Sequence, residues 1–292
     1  GEGSRPMTAE TTMPGRRIAS GVHWLGGCMQ APTAGGPVHY HVSTYLVVGS
    51  DRTVLVDTGD PRHWPAIAGQ LDQALAGRPL DYLLPTHPEL PHAGNLPELL
   101  RRYPDARVVG DIRDYHVHFP EFVHRLEVMA AGDILPLGGR QLRLVPAYIH
   151  DLPNTLWAYD TGDRVFFVSD GFSYVHDVPS IPALGDDEPS HRAGQCRLFS
   201  TEMPQAPTVD QAAYGTGRAL YWTRFVDVSE IFDEMARFLD AHPADFIAPA
   251  HGNVVADVAS MMRTSLAAHR KVYLSARAPV RASAGEINLG VK

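Results

Sequence analysis

The chain has 292 residues and a net charge of −8. Its composition, with 44% hydrophobic and 20% charged residues, is typical of a folded globular protein. The absence of a basic block argues against nucleic-acid binding, and no apolar run is long enough to cross a bilayer. Two cysteines make neither a disulfide framework nor a CxxC metal site, so we expect a cytoplasmic protein whose fifteen histidines indicate imidazole chemistry.

Residues 1–6 precede Met7 and are interpreted as an expression scar, which leaves 7–292 as a single predicted domain. Two β-branched runs, Val42–Val48 and Thr53–Val56, are joined by the turn residues "GSD" and predict a β-hairpin. Helical spacing follows in "WPAIAGQLDQALAG", and "LDYLLPTH" is a short buried strand. A short helix is predicted in "GNLPELLRRYP", with Asn95 as a candidate N-cap.

The second half of the chain has the same alternation of strands and helices. Strands are predicted in "ARVVGD", "GGRQLRLVPAYIH", "NTLWAYDTGDRVFFVSD" and "DFIAPAHGN". Residues 174–214 are rich in Pro, Ser and Gly, which predicts an irregular insertion. Amphipathic helices are predicted from Ala219, in "ALYWTRFVDVSEIFDEMARFLDAH", and in "VVADVASMMRTSLAAHRKVYLSAR". This order indicates an α/β fold in which two sheets pack face to face with helices outside.

Acidic and imidazole side chains recur at the ends of the short apolar runs, where loops on a rigid scaffold usually carry function. These segments supply His87, Glu89, His92, His150, Asp170 and His251. A carboxylate that bridges two cations, with imidazoles on either side, is the usual makeup of a dinuclear site. Because these ligands are histidine and carboxylate without thiolate, the pattern predicts a centre for iron, manganese or zinc.

The ordered segments "VLVDTG", "THPELPH", "YIHD", "FVSDGF" and "IAPAHGN" resemble those of the metallo-β-lactamase superfamily, along nearly the whole chain. The resemblance implies an αββα sandwich, with two packed mixed β-sheets flanked by helices. The usual hydrolase turn of the superfamily is H-x-H-x-D-H. Glu89 occupies its second position, and the resulting H-x-E pattern is similar to that of the flavodiiron, or oxygen-binding di-iron, branch.

The resemblance implies one iron on His87, Glu89 and His150 and a second on His92 and His251, with Asp170 as the bridge. It also implies that Asp57, in "VDTG", orients the histidine turn from behind the ligands. The branch has an aspartate directly before the second histidine of the turn. This chain has Pro91 there, whose side chain has no donor atom, so the second site loses one carboxylate.

The loss at Pro91 leaves three interpretations open: coordination positions for oxygen or substrate, a substitute imidazole, or a vacant second site. His39 and His41 alternate on a predicted strand and are interpreted as a surface pair, with a substitute ligand as the alternative. His176 has the same ambiguity. Cys28 is interpreted as a small buried hydrophobic residue. A degenerate relative that has lost its metal remains a further alternative.

Carboxylate-rich ligation stabilises ferric iron and suits oxygen chemistry. The resemblance therefore implies reduction of dioxygen or nitric oxide, or oxygen activation towards an organic substrate. The chain ends soon after His251, which leaves no room for the flavodoxin-like domain of flavodiiron reductases. We expect a stand-alone di-iron oxidoreductase, with a zinc-dependent hydrolase of an ester or lactone and a non-catalytic oxygen-binding sensor as alternatives.

The expected cofactor is a pair of iron ions, with zinc, manganese or a single metal as the alternatives. The expected partners are dioxygen, a small-molecule substrate and an electron-donor protein. Neither nucleic acid nor a membrane is expected, and we expect the chain to form a homo-oligomer.

Overall fold

The computed structural model describes residues 15–33, 36–177 and 195–277, and two β-sheets form its framework. The first sheet has the strand order β1 (Arg16–Ala19), β2 (Val22–Ala31), β3 (Val38–Val48), β4 (Thr53–Val56), β5 (Tyr82–Leu84), β6 (Arg107–Gly110) and β7 (Leu126–Val128). The predicted hairpin is confirmed as the antiparallel pair β3–β4, in which Tyr45 pairs with Val56. From β4 to β7 the strands run parallel.

The second sheet has the strand order β13 (Phe246–Ala248), β11 (Val165–Phe167), β10 (Leu156–Asp160), β9 (Gln141–Pro146) and β8 (Ile134–Pro136). Its strands are antiparallel except for the parallel pair β11–β13. A further short strand, β12 (His176–Asp177), adds to the first sheet beside β3. Because β4 and β5 are parallel, and β11 and β13 likewise, the carboxyl ends of each pair open at a shared edge.

Helices cover the outer faces of the sheets. They are α1 (Trp64–Leu75), α2 (Leu90–Ala93), α3 (Leu96–Arg102), α4 (Tyr115–His118), α5 (Val209–Ala219), α6 (Ser229–Ala241) and α7 (Val258–Ser275). Short 3₁₀ helices occupy Pro61–His63, Pro120–Arg125, Gln195–Arg197 and Tyr221–Arg224. Within the three described ranges, no helix is both long and apolar enough to cross a bilayer.

Three apolar clusters define the layers. Trp24, Tyr45 and Phe167 belong to the cluster between the two sheets. A second cluster packs the other face of the first sheet against α1 and α3, and a third packs the second sheet against α5, α6 and α7. The αββα sandwich expected from the sequence is therefore confirmed.

The helical boundaries differ from the prediction in the second half of the chain. The helix expected from Ala219 begins only at Ser229, after the 3₁₀ turn of Tyr221–Arg224. The irregular segment predicted over 174–214 includes the start of α5, because Thr208 and Gln211 form a capping box at its N-terminus. Residues 178–194 of that segment lie outside the described residues.

Candidate metal centre

Asp170 is the centre of a group of polar side chains at the edge between the two sheets. It follows β11, and the preceding Ser169 has a left-handed backbone with φ of 50°. One oxygen of Asp170 lies 2.9 Å from His251 Nε2 and 3.4 Å from His92 Nε2, and the other lies 3.4 Å from His87 Nε2. The carboxylate is 3% exposed and thus joins three imidazoles in a nearly dry environment.

The turn after β5 supplies both histidines on one side of Asp170. His87 lies just beyond β5, Glu89 is the N-cap of α2, and His92 lies within α2. A carboxylate oxygen of Glu89 lies 3.6 Å from His87 Nε2. Pro91 occupies the first turn of α2, where a missing N–H costs nothing. The proline therefore suits the local backbone while removing a side-chain ligand.

The structure does not bring His150 into this group. Its ring Nδ1 lies 2.9 Å from the carbonyl oxygen of Ala147, and its own carbonyl accepts a hydrogen bond from Trp222 Nε1. The next residue, Asp151, points the other way, and its Oδ1 lies 3.5 Å from His87 Nδ1. The structure thus places Asp151, and not His150, beside His87, because adjacent side chains on a non-helical segment point in different directions. The assignment of His150 as a ligand stays a prediction.

The residues that converge on Asp170 fit a bound cation. Within the described part of the chain, five of their buried polar atoms make no hydrogen bond of ordinary geometry beyond the contacts inside the group: His87 Nε2, His92 Nε2, Asp151 Oδ1, Asp170 Oδ1 and His251 Nδ1. Buried polar atoms are normally paired, so such a group requires an explanation. Two sets of side chains place their ligand atoms within 4.8 Å of one another, namely His87–His92–Asp170 and His87–Glu89–Asp151–Asp170. Imidazole nitrogens and carboxylate oxygens are donors for Fe, Mn or Zn.

The electrostatic interactions among the side chains around Asp170 also favour a bound cation. Burial raises the pKa of Asp151, and the nearby carboxylates of Asp170 and Glu89 raise it further. Burial also opposes the charge on Asp170, but the rings of His92 and His251 outweigh burial and hold its pKa well below the usual range. Burial opposes the charge on His92 as well. The carboxylates of Asp57 and Asp170 overcome that effect and raise the His92 pKa well above its usual value.

Asp57 supports this group from behind. It ends the β4 segment in a left-handed conformation with φ of 59°. Its Oδ2 lies 3.0 Å from His92 Nδ1, and its Oδ1 accepts hydrogen bonds from the backbone N–H and the hydroxyl of Thr86. The Thr86 hydroxyl also accepts a hydrogen bond from Ser169 Oγ at 2.8 Å, which links the β5 turn to the segment that carries Asp170.

His39 and His41 are buried, at 0% and 4% exposure, so the surface-pair interpretation is wrong. They lie on the same face of the first sheet as Tyr45, because side chains alternate along β3 and these three positions are all odd-numbered. Burial lowers the pKa of His41 to about 3, and its Nδ1 accepts a hydrogen bond from Trp24 Nε1. His39 lies beside His176 and near thiols, apart from the carboxylates around Asp170.

A cavity of about 190 Å³ opens beside His251. Its lining is aromatic, with one guanidinium: Tyr40, Ser173, Tyr174, Tyr214, Arg218 and His251 contribute to it. The Tyr174 hydroxyl is buried and makes no hydrogen bond to any described residue. The cavity therefore offers both π-faces and a polar atom to a small ligand. The sequence had no signal for it, because its residues come from four separate segments.

Comparison with protein families matches residues 38–181 to the model of the "Metallo-beta-lactamase superfamily". Among curated proteins, the chain is 29% identical over 223 residues to an anaerobic nitric oxide reductase flavorubredoxin of Salmonella arizonae. It is 25% identical over 260 residues to a coenzyme F420H(2) oxidase of Methanothermobacter marburgensis. These alignments cover 74% and 83% of this chain but only 41% and 58% of the relatives, so the chain spans about half the length of each.

Solved structures show the same fold. The rubredoxin oxygen:oxidoreductase of Desulfovibrio gigas superposes with a TM-score of 0.63 at 19% identity, covering 90% of this chain and 61% of that one. The flavodiiron protein of Giardia intestinalis superposes with a TM-score of 0.62 at 16% identity, covering 93% and 61%. Residues 38–181 therefore form a metallo-β-lactamase superfamily domain, and the relatives of the chain include a nitric oxide reductase flavorubredoxin and a coenzyme F420H(2) oxidase.

Proposed function

We propose that this chain is a di-iron oxidoreductase that uses dioxygen or nitric oxide as its oxidant. The observation behind the proposal is the convergence of three imidazoles on the buried carboxylate of Asp170, at distances of 2.9 to 3.4 Å. The relatives named as a nitric oxide reductase flavorubredoxin and a coenzyme F420H(2) oxidase support the same class of reaction. When bound, a pair of irons would supply electron transfer to a small oxidant.

The proposed ligand sets are unequal. The first ion would be held by His87, Glu89 and Asp151, and the second by His92 and His251, with Asp170 between them. The first set has two carboxylates of its own, whereas the second has none because Pro91 replaces the branch's aspartate. The first site is therefore the harder and more anionic one, and it favours ferric iron.

The protein's own side chains have separate tasks in this proposal. Asp57 would hold the His92 ring in one tautomer, with Nδ1 protonated and Nε2 directed to the centre. The cavity beside His251 would hold a small organic substrate that supplies electrons, with Tyr174 and Arg218 as its polar contacts. An external electron-donor protein is the other proposed source.

Anaerobic reduction followed by exposure to oxidant tests this function. Protein produced with iron is reduced, freed of excess reductant, and mixed with dioxygen or nitric oxide in separate experiments. We expect a pair of irons per chain, consumption of oxidant and a ferric absorption spectrum. Asp170→Asn, which preserves side-chain shape but removes the bridging charge, should lose both iron and oxidant consumption.

Two other results would contradict the proposal. Retention of zinc alone, with anaerobic cleavage of an ester or lactone that Asp170→Asn abolishes, would identify a hydrolase. Reversible oxygen binding that regenerates the ferrous protein under vacuum would identify a sensor.

A further inference from the structure

A second group of metal-binding side chains lies apart from Asp170, on the inner face of the first sheet. Strand register explains how it forms. Cys28 on β2 pairs with His41 on β3, which puts Cys28 diagonally across from His39 on the same face. On the far side of β3, His176 of β12 pairs directly with His39. Three neighbouring strands therefore present Cys28, His39 and His176 to one space.

The fourth member comes from outside the sheet. Cys196 lies in the 3₁₀ turn Gln195–Arg197, and its Sγ lies 2.9 Å from His39 Nδ1 and 3.8 Å from His176 Nε2. Ligand atoms of Cys28, His39 and Cys196 all lie within 4.8 Å of one another. In a tetrahedral zinc site a sulfur and a nitrogen ligand are ~3.6 Å apart, given the usual zinc bond lengths. The two sulfur-to-nitrogen distances of Cys196, 2.9 and 3.8 Å, lie on either side of that value.

Three members of this group are buried and therefore shielded from water. His39 and Cys196 are both 0% exposed, and His176 is 3% exposed. His176 Nδ1 makes no hydrogen bond to any described residue. The rings of His39 and His176 meet edge-on, with centroids 5.4 Å apart, so both lie against the same thiol. Two imidazoles and two thiols at the end of a core form a donor set that a soft cation satisfies.

We propose that Cys28, His39, His176 and Cys196 form a separate Cys₂His₂ site for Zn²⁺. The donor set differs in kind from the carboxylate-rich group at Asp170, because thiolates select zinc over ferrous iron held by oxygen donors. The two centres would therefore take different metals from the same cell.

The position of the site indicates a structural role. Cys196 and His176 lie on either side of residues 177–195, and the metal would fasten both to β2 and β3. Asn253 already donates hydrogen bonds to the carbonyls of Gln195 and Leu198, which ties this turn to the segment of His251. Zinc would thus hold the turn against the loop that follows His251, the last ligand of the proposed iron centre.

The test uses the full chain with Zn²⁺ and Co²⁺ as probes. Asp170→Asn is the background variant, because it removes the proposed iron centre at Asp170 and leaves both cysteines unchanged. In that background we expect one tightly held zinc per chain, and cobalt substitution should give thiolate-to-cobalt charge-transfer absorption. Cys28→Ser and Cys196→Ser should each weaken zinc binding by at least about 100-fold and remove that absorption.

His116→Ala, at an exposed histidine, is the matched control and should change neither readout. Since Cys196 is fully buried, Cys28→Ser at the half-buried position keeps the test valid if Cys196→Ser does not fold. The proposal is overturned if Asp170→Asn holds no zinc, if cobalt shows no thiolate absorption, or if mass spectrometry finds a Cys28–Cys196 disulfide in metal-free protein. Retention of copper(I) in preference to zinc would also overturn it.

Discussion

The Oδ2 atom of Asp57 lies 3.0 Å from Nδ1 of His92, on the side of the ring away from Asp170. Both side chains are buried, at 3% and 0% exposure, so the contact is shielded from water. A carboxylate at Nδ1 fixes the proton on that nitrogen and leaves Nε2 as the ligand atom. We therefore propose Asp57 as a positioning residue for the second of the two proposed iron sites.

Asp57→Asn should reduce the affinity of the second metal site by roughly 10- to 100-fold, the usual effect of losing a carboxylate behind a metal-bound histidine. Asparagine tolerates the left-handed backbone at this position, so the fold should persist. Iron titration of the anaerobic apoprotein measures the effect. Asp60→Asn, at a buried carboxylate that pairs with Arg62 instead, is the control and should bind iron normally. Equal affinities in the two variants would show that Asp57 does not position His92.

Asp151→Ala should abolish metal binding at the first site, whereas His150→Ala should leave the metal content unchanged. The reason is that Asp151 faces His87 while the His150 ring lies against the Ala147 carbonyl. Metal analysis of the two purified variants decides between adjacent positions. Loss of metal in His150→Ala alone would restore the assignment made from the sequence.

Pro91→Asp should strengthen the second metal site by at least roughly tenfold, which is about 1.4 kcal/mol. The substitution adds a carboxylate in the first turn of α2, where negative charge also suits the helix dipole. Pro97→Asp is a matched control because Pro97 is likewise half-buried in the first turn of α3. The iron affinities of both variants are compared by titration. A similar gain in both would indicate a general charge effect and not a new ligand.

His269→Leu should make the fold less sensitive to acid. Burial lowers the pKa of His269 from 6.5 to about 4, and neither ring nitrogen makes a hydrogen bond to a described residue. The unfolded chain therefore takes up a proton that the folded chain refuses, so stability falls as the pH drops from 6.5 to about 4. The difference in pKa corresponds to about 3 kcal/mol.

Denaturant unfolding at several pH values measures that effect as the difference between wild type and variant. The variant's advantage should be small at neutral pH and grow through the interval between the two pKa values. His116→Leu, at an exposed position of α4, should show no such growth. Parallel curves for wild type and His269→Leu would refute the assignment.

The sequence predicted the sandwich well because its strands are short apolar runs bounded by turn residues. The strand β4 (Thr53–Val56), for example, is buried at every position, as expected for a strand covered on both faces. Most residues of the proposed site could also be identified from the sequence, since His87, His92, Asp170 and His251 each follow such a strand. The resemblance of these ordered segments to the superfamily indicated which of them meet.

The sequence did not determine the direction in which individual side chains point. Whether His150 or Asp151 faces His87 depends on the bends after β9 and on the contact with Trp222, which is distant in the chain. The inward direction of His39 and His41 depends on strand register, because a shift of one residue exchanges the two faces of β3. The helix predicted from Ala219 was wrong at its start, because the apolar residues of that segment are divided between the 3₁₀ turn Tyr221–Arg224 and α6.

Glu89 differs from the other proposed iron ligands in its contact with solvent. Its side chain is 50% exposed, whereas those of His87, His92 and Asp170 are at most 3% exposed. The other three side chains are enclosed by protein, so Glu89 is the part of the proposed first site that bulk water reaches. An ion that entered this site would lose most of its water in passing from the Glu89 carboxylate to the buried ligands.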